Sequence, residues 1–440
     1  MTSKHRREVT AADLSKGRRV LLLILVSAGS SVLFAPPYLK NVFYDPLLDA
    51  LDLTNAQIGW LVSAYAITAT ICYLPSGFIA DRFRMRTLAT TGYFITAALT
   101  FFYAALPSYP TLLAVFVGMG LSTILIWWGV RFKLVRLSSD ADGYARNIGL
   151  SYGIYGAVGL VLGFVNVGLL SFFAGRADLG VRAILVLLGA LILTLGIASY
   201  LLTPRFAGEI DHAGQGFKLA DITRVFASPV IWLAAGTMFF VYFVYTGVSY
   251  TTPYLSTVFA APAAIVSTVS VIRTYGITLL AGPAFGALAT KVRSPSKVIL
   301  IASVVIAGAL GFLIILPPGP IAVVVAAVIV IALGFLANGC YGIASSQLSE
   351  GRVGLDMFGA ASGLLSVIGF LPDTFSSVWF GGIIDARQAA AYPIIFTILI
   401  ICAILAAVLS FILIVWVKRT GGQTATIETN GSATHQEKEL

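Results

Sequence analysis

The sequence predicts an all-α membrane protein in which twelve transmembrane helices form two pseudo-symmetric six-helix bundles. Three observations carry this prediction: the composition, the apolar runs, and a loop motif that occurs in both halves. Of the 440 residues, 58% are hydrophobic and only 11% are charged, with a mean hydropathy of +0.93, far outside the range of soluble domains. A helix needs about 20 mostly apolar residues to cross the roughly 30 Å hydrocarbon core. The chain therefore has room for about twelve spans.

The apolar runs fall into two groups of six, separated by the longest internal polar stretch. We predict an N-terminal tail at 1–19, a first bundle at 20–202, a linker at 203–228, a second bundle at 229–417 and a disordered tail at 418–440, with the linker and both tails cytoplasmic. The twelve predicted spans are 20–43, 56–80, 87–106, 110–131, 147–173, 181–202, 229–257, 263–289, 297–316, 320–345, 357–384 and 391–417.

Within the linker, FKLADITRVF predicts a short amphipathic helix that lies in the membrane interface. Helical spacing places its apolar side chains on one side. These side chains are Phe217, Leu219, Ile222, Val225 and Phe226.

Basic residues are concentrated in alternate loops, which indicates that both termini are cytoplasmic. The chain is accordingly predicted to be a multi-pass protein of a bacterial-type cytoplasmic membrane, with the lipid bilayer as a partner. The net charge of +9 forms no continuous basic face, so no nucleic-acid partner is expected. The cysteines Cys72, Cys340 and Cys402 lie in apolar runs without ligand spacing, so neither a disulfide nor a metal site is implied.

The loop after the second run reads GFIADRFRMR, from Gly77 to Arg86. Its arginines are explained by topology, whereas Gly77 and Asp81 suggest a close contact with a neighbouring helix end. The corresponding loop of the second half reads GALATKVRSPSK, with Gly286 and Thr290 in the places of Gly77 and Asp81. The two halves are therefore predicted to be copies of one six-helix unit, an arrangement typical of transporters.

Gly77, Asp81, Arg82 and Arg86 resemble the signature loop of the major facilitator superfamily, G-x-x-x-D-R/K-x-G-R/K-R/K, with Arg84 and Met85 as departures. The resemblance implies the superfamily fold, transport by alternating access, and a gating role for the matching residues. Three further stretches resemble its branch of sugar-phosphate and organic-anion permeases: the one after span one, WWGVRFKLVRLSSDADGYARNIGLSYG, and SGLLSVIGFLPDTFSSVWFGGIID.

That branch implies phosphate-binding arginines in spans one and seven. This chain has Gly29 and Tyr245 near those places instead, which argues against a doubly charged phosphate ester as substrate.

Arg273 and Asp373 are the charged residues predicted to lie deep inside spans, at similar depth in spans eight and eleven. One interpretation is a permanent ion pair. The other is that Arg273 binds a substrate carboxylate or sulfonate, while Asp373, which follows the helix-breaking Pro372, exchanges protons.

In the first half, Arg131 and Lys133 are either topological anchors or, if span four continues past 131, cationic groups at the mouth of a cavity. Aromatic residues of spans two, four, five and seven are the remaining predicted binding residues. They are Tyr65, Trp128, Tyr152, Tyr155, Tyr242 and Tyr245.

The sequence thus favours a secondary transporter, predicted to be monomeric, that moves a small organic anion of carboxylate, sulfonate or sugar-acid type with a proton or counter-ion. The alternative is a proton-coupled exporter of drugs or cations with Asp373 as receptor. A ligand-binding membrane receptor is disfavoured by the short linker and tail. The sequence has no nucleophile–base pair, metal cluster or nucleotide loop, so neither an enzyme nor a cofactor is expected.

Overall fold

The computed structural model describes residues 8–139, 144–210 and 226–436. Within these ranges the chain is helical, and no β-strand forms beyond one isolated bridge between Val9 and Phe206. The predicted linker helix lies mostly outside the described residues.

We number the membrane helices α1 to α12 in chain order. The first six are α1 (Lys16–Leu33), α2 (Asn55–Arg82), α3 (Met85–Ala104), α4 (Tyr109–Gly120, a π-helical segment Leu121–Trp128, and Gly129–Leu137), α5 (Tyr144–Phe172) and α6 (Ala177–Leu202). Short helices occur at Ala11–Asp13, Leu39–Asn41 and Tyr44–Leu51.

The second six helices include three that are interrupted. They are α7 (Pro229–Gly247, then 3₁₀ Val248–Tyr250 and Thr251–Thr257), α8 (Ala263–Val271, π-helical Ile272–Gly276, Thr278–Val292), α9 (Pro295–Ile315), α10 (Pro320–Ala344), α11 (Leu355–Gly369, 3₁₀ Leu371–Thr374, Ser376–Arg387) and α12 (Ala391–Gln436). Short helices occur at Gln347–Glu350 and Gln388–Ala390.

By length and composition alone, eight helical stretches of the described ranges could cross a membrane, or nine if the bent α8 counts as one span. One of the eight, Ala361–Arg419, covers the last two predicted spans. The helices surround two separate apolar cores. The core of α1 to α6 centres on Trp127 and Tyr93, and that of α7 to α12 on Phe380 and Phe396. The predicted pair of six-helix bundles is confirmed.

Two predicted boundaries differ from the structure. The first helix ends at Leu33 rather than 43, because Pro36 and Pro37 cannot continue a helix, and the chain folds into a hairpin instead. The last helix continues to Gln436, through residues that we predicted to be a disordered tail. Extending an existing helix costs much less than nucleating one, so a polar segment can follow the last span as helix.

Within the described residues, the close contacts of α5 with α8 lie towards one end. We call the membrane face at which α1 begins the terminal face, and the opposite one the distal face. Gly149, Gly156 and Gly163 lie on one stripe of α5, seven residues apart. A Cβ at Gly163 would lie 2.6 Å from Val271 of α8 and one at Gly156 3.1 Å from Leu279, whereas one at Gly149 would meet nothing within 4 Å. Helices α5 and α8 are therefore in contact towards the distal face and separate towards the terminal face.

Candidate binding site between the two helix bundles

Arg131 is buried where the π-helical segment of α4 returns to α-helix. Its side chain is in contact with α5, since the guanidinium carbon lies 4.5 Å from the ring centre of Tyr152 and 5.5 Å from that of Tyr155. The nitrogen Nη2 is buried and has no hydrogen-bond partner. A buried guanidinium N–H without an acceptor is costly, so the geometry favours an anion at this position. Span four does continue past 131, to Leu137.

Aromatic side chains of both bundles contact one another and form what we call the aromatic wall, of which Tyr341 is close enough to Arg131 to interact with it electrostatically. The rings of Tyr245 and Tyr341 stack at 4.9 Å, and Tyr242 lies 5.5 Å from Tyr341 and 4.8 Å from Phe370. Phe370 also contacts Tyr73 of the first bundle, at 5.5 Å. The wall consists of Tyr73, Trp128, Tyr242, Tyr245, Tyr341 and Phe370.

Asp373 is at the other end of this wall, in the 3₁₀ turn that interrupts α11. Its Oδ2 accepts hydrogen bonds from Tyr38 of the first bundle, at 2.9 Å, and from Tyr242 of the second, at 3.2 Å. The ammonium group of Lys40 is close enough to interact electrostatically with this carboxylate. Lys40 itself donates to Ser377 Oγ at 3.0 Å. The carboxylate therefore belongs to a network that joins the two bundles.

Arg273 lies in the π-helical segment of α8 and is 4% exposed. Its Nη1 donates to the carbonyls of Val248, at 2.9 Å, and Ser249, at 3.2 Å, in the 3₁₀ turn that interrupts α7. Its Nη2 donates to the carbonyl of Asn41, in the hairpin after α1. Among the described residues Arg273 forms no ion pair with Asp373. The structure therefore uses this guanidinium to fasten protein segments together.

Of the other predicted binding residues, some lie beside Arg131 or in the aromatic wall, and two do not. Tyr152 and Tyr155 lie beside Arg131, and Tyr242, Tyr245 and Trp128 belong to the aromatic wall. Tyr65 is 1% exposed and hydrogen-bonds Thr123 at 2.9 Å. Lys133 lies on the opposite side of α4 from the cavity, since its Nζ contacts Asp81 at 2.6 Å and the Ala80 carbonyl at 2.8 Å.

Three charged residues of the signature loop, Asp81, Arg84 and Arg86, contact neighbouring segments. Asp81 pairs with Lys133, which is the contact with a neighbouring helix that the sequence suggested. Arg84 pairs with Glu8 at 2.7 Å and Glu209 at 2.8 Å, and these two acids raise the pKa of Arg84, Glu209 more strongly. Arg82 is exposed, and the guanidinium of Arg86 lies 4.3 Å from the Tyr200 ring.

Gly77 does not make the close approach that we predicted, because a Cβ there would meet nothing within 4 Å.

Asp385 closes the distal end by bonding the start of α2 from the end of α11. Its Oδ1 accepts from the amide N–H of Asn55 at 3.0 Å and its Oδ2 from that of Ala56 at 2.8 Å. Nearby, a Cβ on Gly59 would overlap the carbonyl of Ser377. Hydrogen bonding between the first N–H groups of a helix and a carboxylate is favourable, so this contact fixes the two bundles together.

Sequence reasoning missed Tyr73, Tyr341, Phe370 and Asp385. Each is an ordinary residue of an apolar run or a loop, and its role depends on a partner in the other bundle.

A model of the major facilitator superfamily matches residues 20–377. The chain belongs to this superfamily. Within it, the chain is 28% identical to the inner membrane protein YqcE of Escherichia coli over 378 residues, 85% of this chain and 89% of that one. It is 26% identical to the inner membrane protein YihN of Escherichia coli, covering 91% and 96%. A probable nitrate/nitrite antiporter of Thermus thermophilus, NarK1, is 25% identical over half of each chain.

Solved transporter structures share the fold. A bacterial homologue of the human lysosomal transporter Spinster, in an inward-facing and unoccupied conformation, superposes with a TM-score of 0.69 at 19% identity, covering 91% of this chain and 98% of that one. The nucleoside transporter NupG gives a TM-score of 0.68 at 16% identity, covering 90% and 98%. The protein is a membrane transporter of this superfamily and not an enzyme.

Proposed function

We propose that this superfamily member is a secondary transporter of a small organic anion, with Arg131 as the anion receptor. The site lies between the two bundles, where alternating-access carriers bind their substrates. This keeps the carboxylate, sulfonate or sugar-acid class favoured by the sequence and moves the receptor from Arg273 to Arg131.

The observation that carries the proposal is the unpartnered Nη2 of Arg131, which is buried beside Tyr152 and Tyr155. A guanidinium binds carboxylate and sulfonate groups through paired charge-assisted hydrogen bonds. Such hydrogen bonds contribute about 1.5–3 kcal/mol each. Arg273 lacks this capacity because protein carbonyls already occupy its donors.

The conformation supports binding from the cytoplasm. The arginine-rich signature loop is on the terminal face, which the positive-inside rule assigns to the cytoplasm. The Asp385 contact closes the distal face, and α5 and α8 separate towards the terminal face. In this proposal the structure is inward-facing, with both termini cytoplasmic.

Asp373 is the proposed proton carrier. It contacts Tyr38 of one bundle and Tyr242 of the other, so its charge bears on the contact between the bundles. The rival function, export of a cation bound by Asp373, is less well supported, since Lys40 already lies close to the carboxylate.

The test is a thermal-shift screen of the purified protein against monocarboxylates, dicarboxylates, sulfonates, phosphate esters and lipophilic cations, because a ligand of the folded state raises its apparent stability. We expect stabilisation by a singly charged anion class, lost in Arg131→Gln and kept in Lys133→Gln, a matched control two residues away. Uptake of the identified anion into proteoliposomes should follow the same pattern. Stabilisation by cations alone, or an anion effect that survives Arg131→Gln, contradicts the proposal.

A further inference from the structure

We infer that the anion is a hydroxylated monoanion, which binds with its acidic group on Arg131, its hydroxyl groups on Asp373 and a carbon face on the aromatic wall. This inference rests on the proposed function, since it names the substrate class of the same site. It adds a role for Asp373 and for the wall in selecting among organic anions.

Asp373 has an acceptor to spare. Both of its hydrogen bonds fall on Oδ2, and within the described ranges Oδ1 accepts none. An ionised carboxylate oxygen accepts more than one hydrogen bond. A substrate hydroxyl group is a suitable donor for this free oxygen.

Lys40 makes a substrate hydroxyl group a better donor to Asp373 than a substrate ammonium group. It is 4% exposed, and its charge is near enough to Asp373 to interact with it. Together the two residues are electrically neutral, so a second cation from the substrate would place uncompensated positive charge in a buried site that also contains Arg131. A neutral donor avoids this cost.

The aromatic wall connects the two polar ends. Tyr341 is close enough to Arg131 and Tyr152 to interact electrostatically with both, and its ring contacts Tyr242, whose hydroxyl group donates to Asp373. Binding pockets typically combine apolar and aromatic walls with a few polar groups that fix orientation. The C–H face of a hydroxylated ring or chain fits such a wall while its hydroxyl groups point to Asp373.

Three probes of one ring size separate the contributions: glucuronate has both charge and hydroxyl groups, cyclohexanecarboxylate has the charge alone, and glucose has hydroxyl groups alone. Binding to the purified full-length protein is measured by isothermal titration calorimetry. We expect glucuronate to bind at least about tenfold more tightly than either of the others, because a site built to hydrogen-bond hydroxyl groups rejects an analogue that lacks them.

Two variants then test which residue is responsible for each preference. In Asp373→Asn the preference for glucuronate over cyclohexanecarboxylate should fall by about tenfold. In Arg131→Gln the preference for glucuronate over glucose should disappear. Because each result is a ratio within one variant, a smaller folded fraction does not change it.

The failures can be told apart. Equal binding of the two acids by the unmodified protein, still dependent on Arg131, overturns the hydroxyl inference and leaves the anion site standing. An unchanged ratio in Asp373→Asn also overturns the inference. Binding of glucuronate that does not depend on Arg131 overturns the proposed function itself.

Discussion

Arg131 and Arg273 have the same charge and nearly the same burial, 5% and 4% exposed, and each lies in or beside a π-helical segment. Their surroundings differ. Arg273 donates to backbone carbonyls of α7 and of the hairpin after α1, whereas Nη2 of Arg131 has no partner. Burial of a charge therefore marks a position that matters without saying whether its role is to hold the protein or to bind a ligand. The state of its hydrogen-bond donors decides between them.

The two arginines also lie in different parts of the interface between the bundles. Arg273 bonds the segments that close the distal end, and Arg131 is beside the part of α5 from which α8 diverges. The arginine with satisfied donors belongs to the closed end, and the one with a free donor belongs to the cavity. Four predictions test this contrast, from the largest expected effect to the smallest.

The largest effect is expected for stability. Arg273→Gln should lower the apparent melting temperature of the ligand-free protein strongly, because it removes the hydrogen bonds of a charged group that join α8 to α7 and to the hairpin after α1, each contributing about 1.5–3 kcal/mol. Arg131→Gln removes an unpaired buried charge and should leave the melting temperature unchanged or raise it. Equal losses of melting temperature in the two variants would show that Arg131 stabilises the folded protein as much as Arg273 does, and would contradict the distinction between them.

The next prediction concerns two glycines on one stripe of α5. Gly163→Ala should destabilise the closed distal end by about 1–3 kcal/mol, since its Cβ would overpack against Val271. Gly149→Ala should be neutral or slightly stabilising, because nothing lies within 4 Å of its Cβ and alanine is the better helix former. Thermal unfolding of both variants in one detergent measures this. A larger loss for Gly149→Ala would mean that the bundles also meet at the terminal face.

The fold was predictable because hydropathy and the distribution of basic residues are properties of the local sequence. The end of α1 before residue 43 could also have been predicted, because Pro36 and Pro37 interrupt the apolar run there. The aromatic candidates Tyr152 and Tyr155 were found from their helical spacing, and the structure places both beside Arg131.

The roles of the two arginines could not be predicted. The acceptors of Arg273 include carbonyls of the 3₁₀ turn Val248–Tyr250 and a carbonyl of a distant hairpin, and the sequence alone indicates neither contact. Lys133 was predicted to bind together with Arg131 because the two are close in sequence. Side chains two residues apart on a helix point in different directions, so the two residues have different neighbours. Contacts between bundles, such as that of Asp385 with Asn55, depend on the packing of whole bundles.

The third prediction addresses the contact that closes the distal end. Asp385→Asn should weaken it by about 0.3–1 kcal/mol, the usual contribution of an acid at a helix N-terminus, and raise the population of the open distal state up to roughly fivefold. The measurement is the rate at which a membrane-impermeant maleimide, added from the distal side, labels Ser249→Cys in a background without the native cysteines. Asp178→Asn, at the start of α6 and within one bundle, is the control. Faster labelling in the control than in Asp385→Asn would mean that Asp385 does not hold this end closed.

The smallest effect is expected for the ion pair of Lys133 with Asp81. The side chain of Asp81 is 58% exposed, and exposed ion pairs contribute about 0.2–1 kcal/mol. Asp81→Asn should therefore change the melting temperature little and leave anion affinity unchanged, measured by thermal shift and by titration with the anion identified in the screen. Lys133 freed in this variant is still held by the carbonyl of Ala80, so it does not turn towards the cavity. A gain or loss of anion affinity in Asp81→Asn would instead show that Lys133 shares the anion site with Arg131. A cation with satisfied donors would then also take part in binding, and free donors alone would not identify the binding residue.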